Sequence, residues 1–405
     1  MVTRGCAVGS CCWLIGSLGC GPTEIQNTGG TNVEPGLFGR GVITVNQNDN
    51  YDATNTSLVG VNGAVLSESL LSKGLSGDVT APTMPSFGTD IVLLDRYPSL
   101  IHWVNVKTGE LRSQFHADSD GLAQNPWDYI PISNTKAYVV RYDGVSGTST
   151  HGDVIVVNPQ TANVTSGVEK RVDVATASAP SNGFSIHPAR GVVVNDTAYV
   201  VSVVASPSYE YAPSKLIVIN TTTDEVEKVI ELSATNCNAL ALSPNRDKLG
   251  IACAGDLLAD EGVNQGNSAL IEIALNQVAE TWRLPAKSAG NGVFGFSITY
   301  ASQDQLLALF LGNVQASVSD QALSVNVATN EVAIVASAPP VQLGGVLCPL
   351  SMNATSPTPP ETCFVSNASN AELLRFTVET GAPSNEEAIT VDTVFGLPPR
   401  GLGQF

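Results

Sequence analysis

The chain has 405 residues, of which 43% are hydrophobic and only 14% charged, and its net charge is −18 from 37 acidic and 19 basic side chains. No Lys/Arg-rich run occurs, so the electrostatic footprint of a nucleic-acid binder is missing and a duplex would be repelled. So little charge, set among abundant Val, Ala, Ser, Thr, Asn and Gly, points to sheet surfaces rather than salt-bridged helices.

At the N-terminus, Arg4 precedes the uncharged stretch GCAVGSCCWLIGSLG, residues 5–19. That is shorter than the roughly 20 residues a transmembrane helix needs, and it suits an export signal. It ends at Gly19–Cys20. The small residue before a cysteine resembles a bacterial lipoprotein signal over residues 1–20, which implies that Cys20 is lipidated and becomes the new N-terminus. Ser17 and Leu18 depart from the pattern of that family, so a cleaved secretory signal remains the alternative. Cys6, Cys11, Cys12 and Cys20 lack the paired spacing and nearby His of a zinc site. Residues 21–36, rich in Gly, Thr, Asn and Pro, read as a flexible tether.

From residue 41 onward one phrase recurs. An apolar strand, a polar turn and another strand appear in LIHWVNVKTGELRSQF (100–115), DVIVVNPQTANVTSG (153–167) and KLIVINTTTDEVEKVIEL (215–232). ALIEIALNQVAETWRL (269–284) and ALSVNVATNEVAIVA (322–336) repeat it. Two further strands precede each copy. Four strands at a period of about 40–50 residues predict propeller blades, near 73–116, 126–168, 183–233, 238–285, 294–337 and 344–392. Residues 41–67 supply outer strands without an innermost one, and the tail PPRGLGQF (398–405) resembles the missing strand. The expected fold is therefore all-β: a seven-bladed β-propeller over 37–405, closed by pairing of the C-terminal strand with the N-terminal blade, which removes an open edge. The Pro/Thr-rich piece 353–362 reads as an exposed loop.

Cys237 and Cys253 flank two inner strands of one blade, and Cys348 and Cys363 take nearly the same places in another. The matched spacing suggests disulfides Cys237–Cys253 and Cys348–Cys363, which an exported protein permits; four buried thiols are the competing reading. No nucleophile elbow, zinc-protease helix or phosphate loop is present, so catalytic and cofactor-binding residues are left unassigned. His102, His116, His151 and His187 are scattered. Asp49 and Asp52, and Asp118 and Asp120, offer hard oxygen ligands of the kind Ca²⁺ takes, although polar turns explain the same residues. Asp95, Arg96, Asp128 and Arg141 fall at strand ends near the inner ring and are candidates for the channel mouth, with structural ion pairs as the competing explanation.

The segments NPWDYIPISNTKAYVVRYDG and NALALSPNRDKLGIACAG resemble the YVTN-type β-propeller repeats of exported bacterial proteins. IVLLDRYPS (91–99), NPWDY (125–129), CAGD (253–256) and GLPPRGLGQF (396–405) resemble a group of propeller lipoproteins of myxobacteria. The resemblance implies an exported seven-bladed scaffold and brings no catalytic residues. The expected function is that of a non-enzymatic, monomeric binding protein of the cell envelope. It would be held at the outer membrane only through a lipid on Cys20, facing the periplasm or the exterior, or else be secreted. Its partner would be a protein, peptide or glycan, not a nucleic acid, with no cofactor beyond Ca²⁺. The rival is a metal-dependent propeller hydrolase or lactonase with its site in the central channel.

Overall fold

A computed structural model describes residues 41–71, 74–144, 151–181, 183–256, 265–350, 360–379 and 382–405. The export signal, Cys20, the tether and most of loop 353–362 lie outside the described residues.

The strands run in chain order through seven sheets. Blade 1 holds β1 (Gly41–Gln47), β2 (Thr54–Gly60) and β3 (Val65–Leu71). Blade 2 holds β4 (Val79–Thr80), β5 (Asp90–Asp95), β6 (Leu100–Asn105) and β7 (Leu111–His116). Blade 3 holds β8 (Ala123–Ser133), β9 (Lys136–Gly144), β10 (His151–Val157) and β11 (Val168–Val172). Blade 4 holds β12 (Ser185–Val194), β13 (Thr197–Ala205), β14 (Tyr211–Asn220) and β15 (Glu225–Thr235). Blade 5 holds β16 (Cys237–Leu242), β17 (Lys248–Cys253), β18 (Ala269–Ala274) and β19 (Ala279–Pro285). Blade 6 holds β20 (Val293–Ser302), β21 (Gln305–Leu311), β22 (Asp320–Asn326) and β23 (Val332–Ala338). Blade 7 holds β24 (Leu343–Leu347), β25 (Thr362–Asn367), β26 (Glu372–Glu379) and β27 (Ala382–Thr390). Finally β28 (Pro399–Gln404) pairs antiparallel with β1 and becomes the inner strand of blade 1, so the expected closure is borne out.

Inner strands have a neighbouring sheet on both faces, which is why they read as continuous apolar runs. Residues of β17, KLGIAC, are buried except Lys248. Outermost strands face solvent, and β15 alternates accordingly. Core clusters form between blades: Ile43, Val45 and Leu58 of blade 1 pack with Ile91 and Leu93 of blade 2 and with Phe405.

Strict antiparallel order divides the turns between two faces. Connections between blades, and turns from second to third strands, share one face, here the entrance face. The remaining turns share the opposite face.

Both disulfides form, and they suggest an oxidising, extracytoplasmic environment. Their places differ from the sequence expectation. Cys237 opens β16 and lies in register with Cys253, so that bond staples the entrance end of the hairpin. Cys348 follows β24 and Cys363 lies near the start of β25, so the second bond closes the base of a loop on the opposite face. Replacing either pair by serines is expected to cost about 3 kcal/mol in a urea titration, the chain-entropy value for a loop of roughly 15 residues.

Candidate functional site at the channel mouth

A ring of bulges shapes the entrance end of the channel. On β8, β12, β16, β20, β24 and β28 the pairing with the second strand slips by one or more residues near the entrance face. The remaining inner strand, β4, is only two residues long. An inner strand is a sheet edge, so it tolerates Pro and a skipped residue. Pro126, Pro188 and Pro399 each sit beside the slip. The residue left out of the ladder is re-aimed. It is Trp127 on β8, Ala189 on β12, Asn238 on β16, the stretch Gly295 to Ser297 on β20, Gly344 on β24 and Arg400 on β28.

Trp127, Phe296, Ser297, Gly344 and Arg400 line one cavity of about 320 Å³, to which all seven blades contribute. Its charged lining is Arg96, Arg190, Arg400 and Asp78. Gln47, Thr80 and Ser297 add polar groups, and Tyr51, Trp127 and Phe296 add aromatic ones. Gly344 is required by close approach: a Cβ there would lie 2.1 Å from the Arg400 carbonyl oxygen. Below the mouth the channel narrows to a throat of about 40 Å³ lined by Met84, Leu240, Leu242, Ile298 and Leu347.

Each arginine is anchored differently. Arg96 Nε donates to Asp78 Oδ1 at 2.9 Å, and its guanidinium lies 4.2 Å from the Trp127 ring centroid. Arg190 Nη1 donates at 3.2 Å to both Asp128 Oδ1 and the Trp127 carbonyl, while Nη2 reaches Thr80 Oγ1 at 3.3 Å. Arg400 Nη1 donates to the Val341 carbonyl at 2.8 Å and Nη2 pairs with Asp49. Its Nε is buried without a hydrogen-bond partner.

From Trp127 a stack runs outward. Tyr142 packs against Trp127 with centroids 4.6 Å apart, and His187 against Tyr142 at 4.8 Å. His187 Nδ1 also lies 3.0 Å from the Tyr142 carbonyl oxygen. Burial pushes the Tyr142 hydroxyl above the range of an ordinary phenol, with Asp143 adding to the shift. Of the twelve exposed large apolar residues described, eight sit in entrance-face connections and a ninth, Phe296, lines the mouth.

The sequence candidates are scattered relative to this site. Arg96 lines the mouth. Asp128 is buried beneath it; desolvation pushes its carboxyl up, against Arg190 and the Gly191 amide, which donates at 2.9 Å. Asp95 is buried within blade 2, accepting from the Ser76 amide at 2.8 Å and from its hydroxyl. Arg141 lies inside blade 3, wholly buried and away from the mouth lining. Its Nε and Nη2 reach the two Asp153 oxygens at 2.6 Å, and Nη1 and Nη2 reach Asp120 at 2.7 and 2.9 Å. Both oxygens of Asp120 are thus engaged by a guanidinium. Asp49 pairs with Arg400, Asp52 accepts from Asn48, and Asp118 lies 3.8 Å from His116 Nδ1. The four aspartates do not converge: among the described residues no group of three or more His, Cys, Asp or Glu could hold a metal ion. Arg190, Arg400, Trp127, Tyr51 and Phe296 are mouth residues that the sequence reading did not single out.

No family model and no curated protein matches the chain. Solved structures do. A 6-phosphogluconolactonase homologue from Bacteroides fragilis is 12% identical, with a TM-score of 0.55 over 92% of this chain and 100% of that one. A periplasmic gluconolactonase from Pseudomonas aeruginosa gives 12%, 0.55, 90% and 98%. The β-propeller domain of Cps50 from Myceliophteria thermophila gives 10%, 0.51, 87% and 98%. Identities this low show the β-propeller fold alone.

Proposed function

We propose that this protein is an extracytoplasmic binding propeller of the YVTN type that holds a ligand at the channel mouth without turning it over. The observation that carries the reading is the single cavity built by all seven blades at a ring of bulges. The concentration of exposed aromatic and aliphatic residues on the same face supports it. In this reading the opposite face is turned away from the ligand, and a lipid on Cys20 holds the protein at the envelope, where the ligand is part of a protein, peptide or glycan.

The test is capture from envelope extract by the chain from residue 37 onward, against a Gly345→Phe variant. Gly345 lines the mouth, and a Cβ there has room, its nearest neighbours lying 3.6–3.7 Å away. The larger ring fills the cavity, so capture is expected to fall at least tenfold with the melting temperature preserved. A partner held equally by both proteins removes the mouth as the binding site.

The rival is a hydrolase or lactonase using the same channel. The names of two structural neighbours favour it, and the mouth is of a size that suits a small substrate. A lactone and ester screen, with and without added Ca²⁺, separates the two. Turnover abolished by Gly345→Phe would replace the binding reading with the enzymatic one.

A further inference from the structure

We infer that the ligand of the mouth carries an anionic group, a carboxylate or a phosphate, and that Asp49 occupies part of its place until it arrives. This rests on the channel mouth being the binding site.

Three guanidinium groups line a cavity of about 320 Å³, each paired with one aspartate: Arg96 with Asp78, Arg190 with Asp128 and Arg400 with Asp49. The arginines still keep donors in hand. A guanidinium has five N–H groups. Among the described residues, Arg96 bonds through Nε and Nη2 to Asp78 and makes no bond through Nη1. The Arg400 side chain is only 10% exposed, yet its Nε has no partner. A buried unpaired donor is costly and waits for an acceptor.

The Arg400–Asp49 pair is built to exchange. Asp49 is 81% exposed on the β1–β2 turn, so solvent screens it. With one partner in solvent, the pair is screened on the Asp49 side and is weaker than one buried at both ends. An anion with two oxygens could engage Nε and Nη2 of Arg400 together, the bidentate geometry that guanidinium favours. Asp49 would then swing into water at little cost. The apolar throat below keeps the charged group in the mouth.

Calorimetric titration of the full-length protein tests this with galacturonate, its neutral counterpart galactose, and inorganic phosphate. Galacturonate is expected to bind at least tenfold more tightly than galactose, and phosphate to bind weakly and compete. Arg400→Gln is expected to weaken galacturonate at least tenfold. Asp49→Asn is expected to strengthen it about two- to fivefold, because it removes the competing carboxylate. A merely structural Asp49 would leave affinity unchanged or lower it. Equal binding of galactose and galacturonate, no binding of either anion, or an Asp49→Asn variant no tighter than the parent overturns the inference. If Gly345→Phe still abolishes partner capture in that case, the mouth stands and only the ligand class is wrong. If capture ignores Gly345→Phe, the mouth itself falls.

Discussion

Deleting residues 398–405 is expected to lower the melting temperature by about 10 °C or more, or to leave a chain that does not fold. β28 supplies the inner strand of blade 1, pairing over Val42↔Gln404 to Asn46↔Pro399. It buries Leu402 against Val42, Val59 and Leu347, and the segment buries Phe405 against Ile43, Val45 and Leu58. Losing a buried Phe costs roughly 3–5 kcal/mol and a buried Leu about 2–5. Together they rival the 5–15 kcal/mol that typically holds a fold together. The segment also bonds sideways, Gln404 N to the Pro82 carbonyl and Gln404 Nε2 to the Leu350 carbonyl, so blades 2 and 7 lose contacts too. Phe405→Ala is the milder variant, with about 3–5 kcal/mol expected in urea unfolding. A melt unchanged by the deletion would show that the ring does not depend on this seam.

Arg141→Met is the second large effect, about 3–5 kcal/mol of destabilisation in urea at neutral pH. The guanidinium is wholly buried, and it holds Asp153, itself inaccessible, together with Asp120 and the Ala117 carbonyl at 2.6 Å. Residues 117–122 connect blades 2 and 3, so Arg141 fastens that connection to the sheet. Removing one partner strands a buried charge, which costs far more than the intact cluster contributes. Arg171, partly exposed, keeps one contact to Asp153 and softens the loss. Replacing Arg141, Asp120 and Asp153 together by apolar residues is expected to recover most of the stability. The pH dependence has a definite sign. Burial alone would raise Asp120, but the hydrogen bonds and charge of Arg141 outweigh it and hold the carboxyl below its ordinary value of 3.8. A carboxyl depressed in the folded state stabilises above its unfolded pKa, and that contribution is lost as pH falls through the folded value. The stability gap between parent and Arg141→Met should therefore narrow below about pH 3.8. A gap constant from pH 7 to pH 3 would show that the Asp120 contact contributes nothing.

The fold was legible because its signals are local and repeated. Every blade carries apolar strands between Thr-, Asn- and Gly-rich turns, and GLGQF echoes an inner strand. The cysteine partners were legible from spacing, but spacing does not say which end of a hairpin a bond staples. That depends on where β16 begins and β24 ends. The site was harder to read. Arg141 looked like a mouth residue because its strand leads toward the entrance face. Of the partners that bury it, Asp153 faces it across the β9–β10 ladder, while Asp120 is brought in from the connection between blades 2 and 3. Arg190 and Arg400 left a trace that was there to find. In PARG and PPRG an arginine lies one or two places after a proline and directly before a glycine on an inner strand, the composition of a bulge on an unpaired edge. Exposure of Tyr51 and Phe296 has no sequence mark, since apolar residues in strands and turns usually pack.

Arg400 belongs to β28, and it meets Asp49 across 351 residues of sequence. The mouth is thus assembled by the step that closes the ring. A chain interrupted upstream of β28 can carry six full blades and still lack a mouth. On the proposed binding reading, competence to bind is then a certificate of completed folding. On the same reading, a bound ligand in turn holds the seam shut by mass action, so occupancy protects the strand pairing that closes the ring.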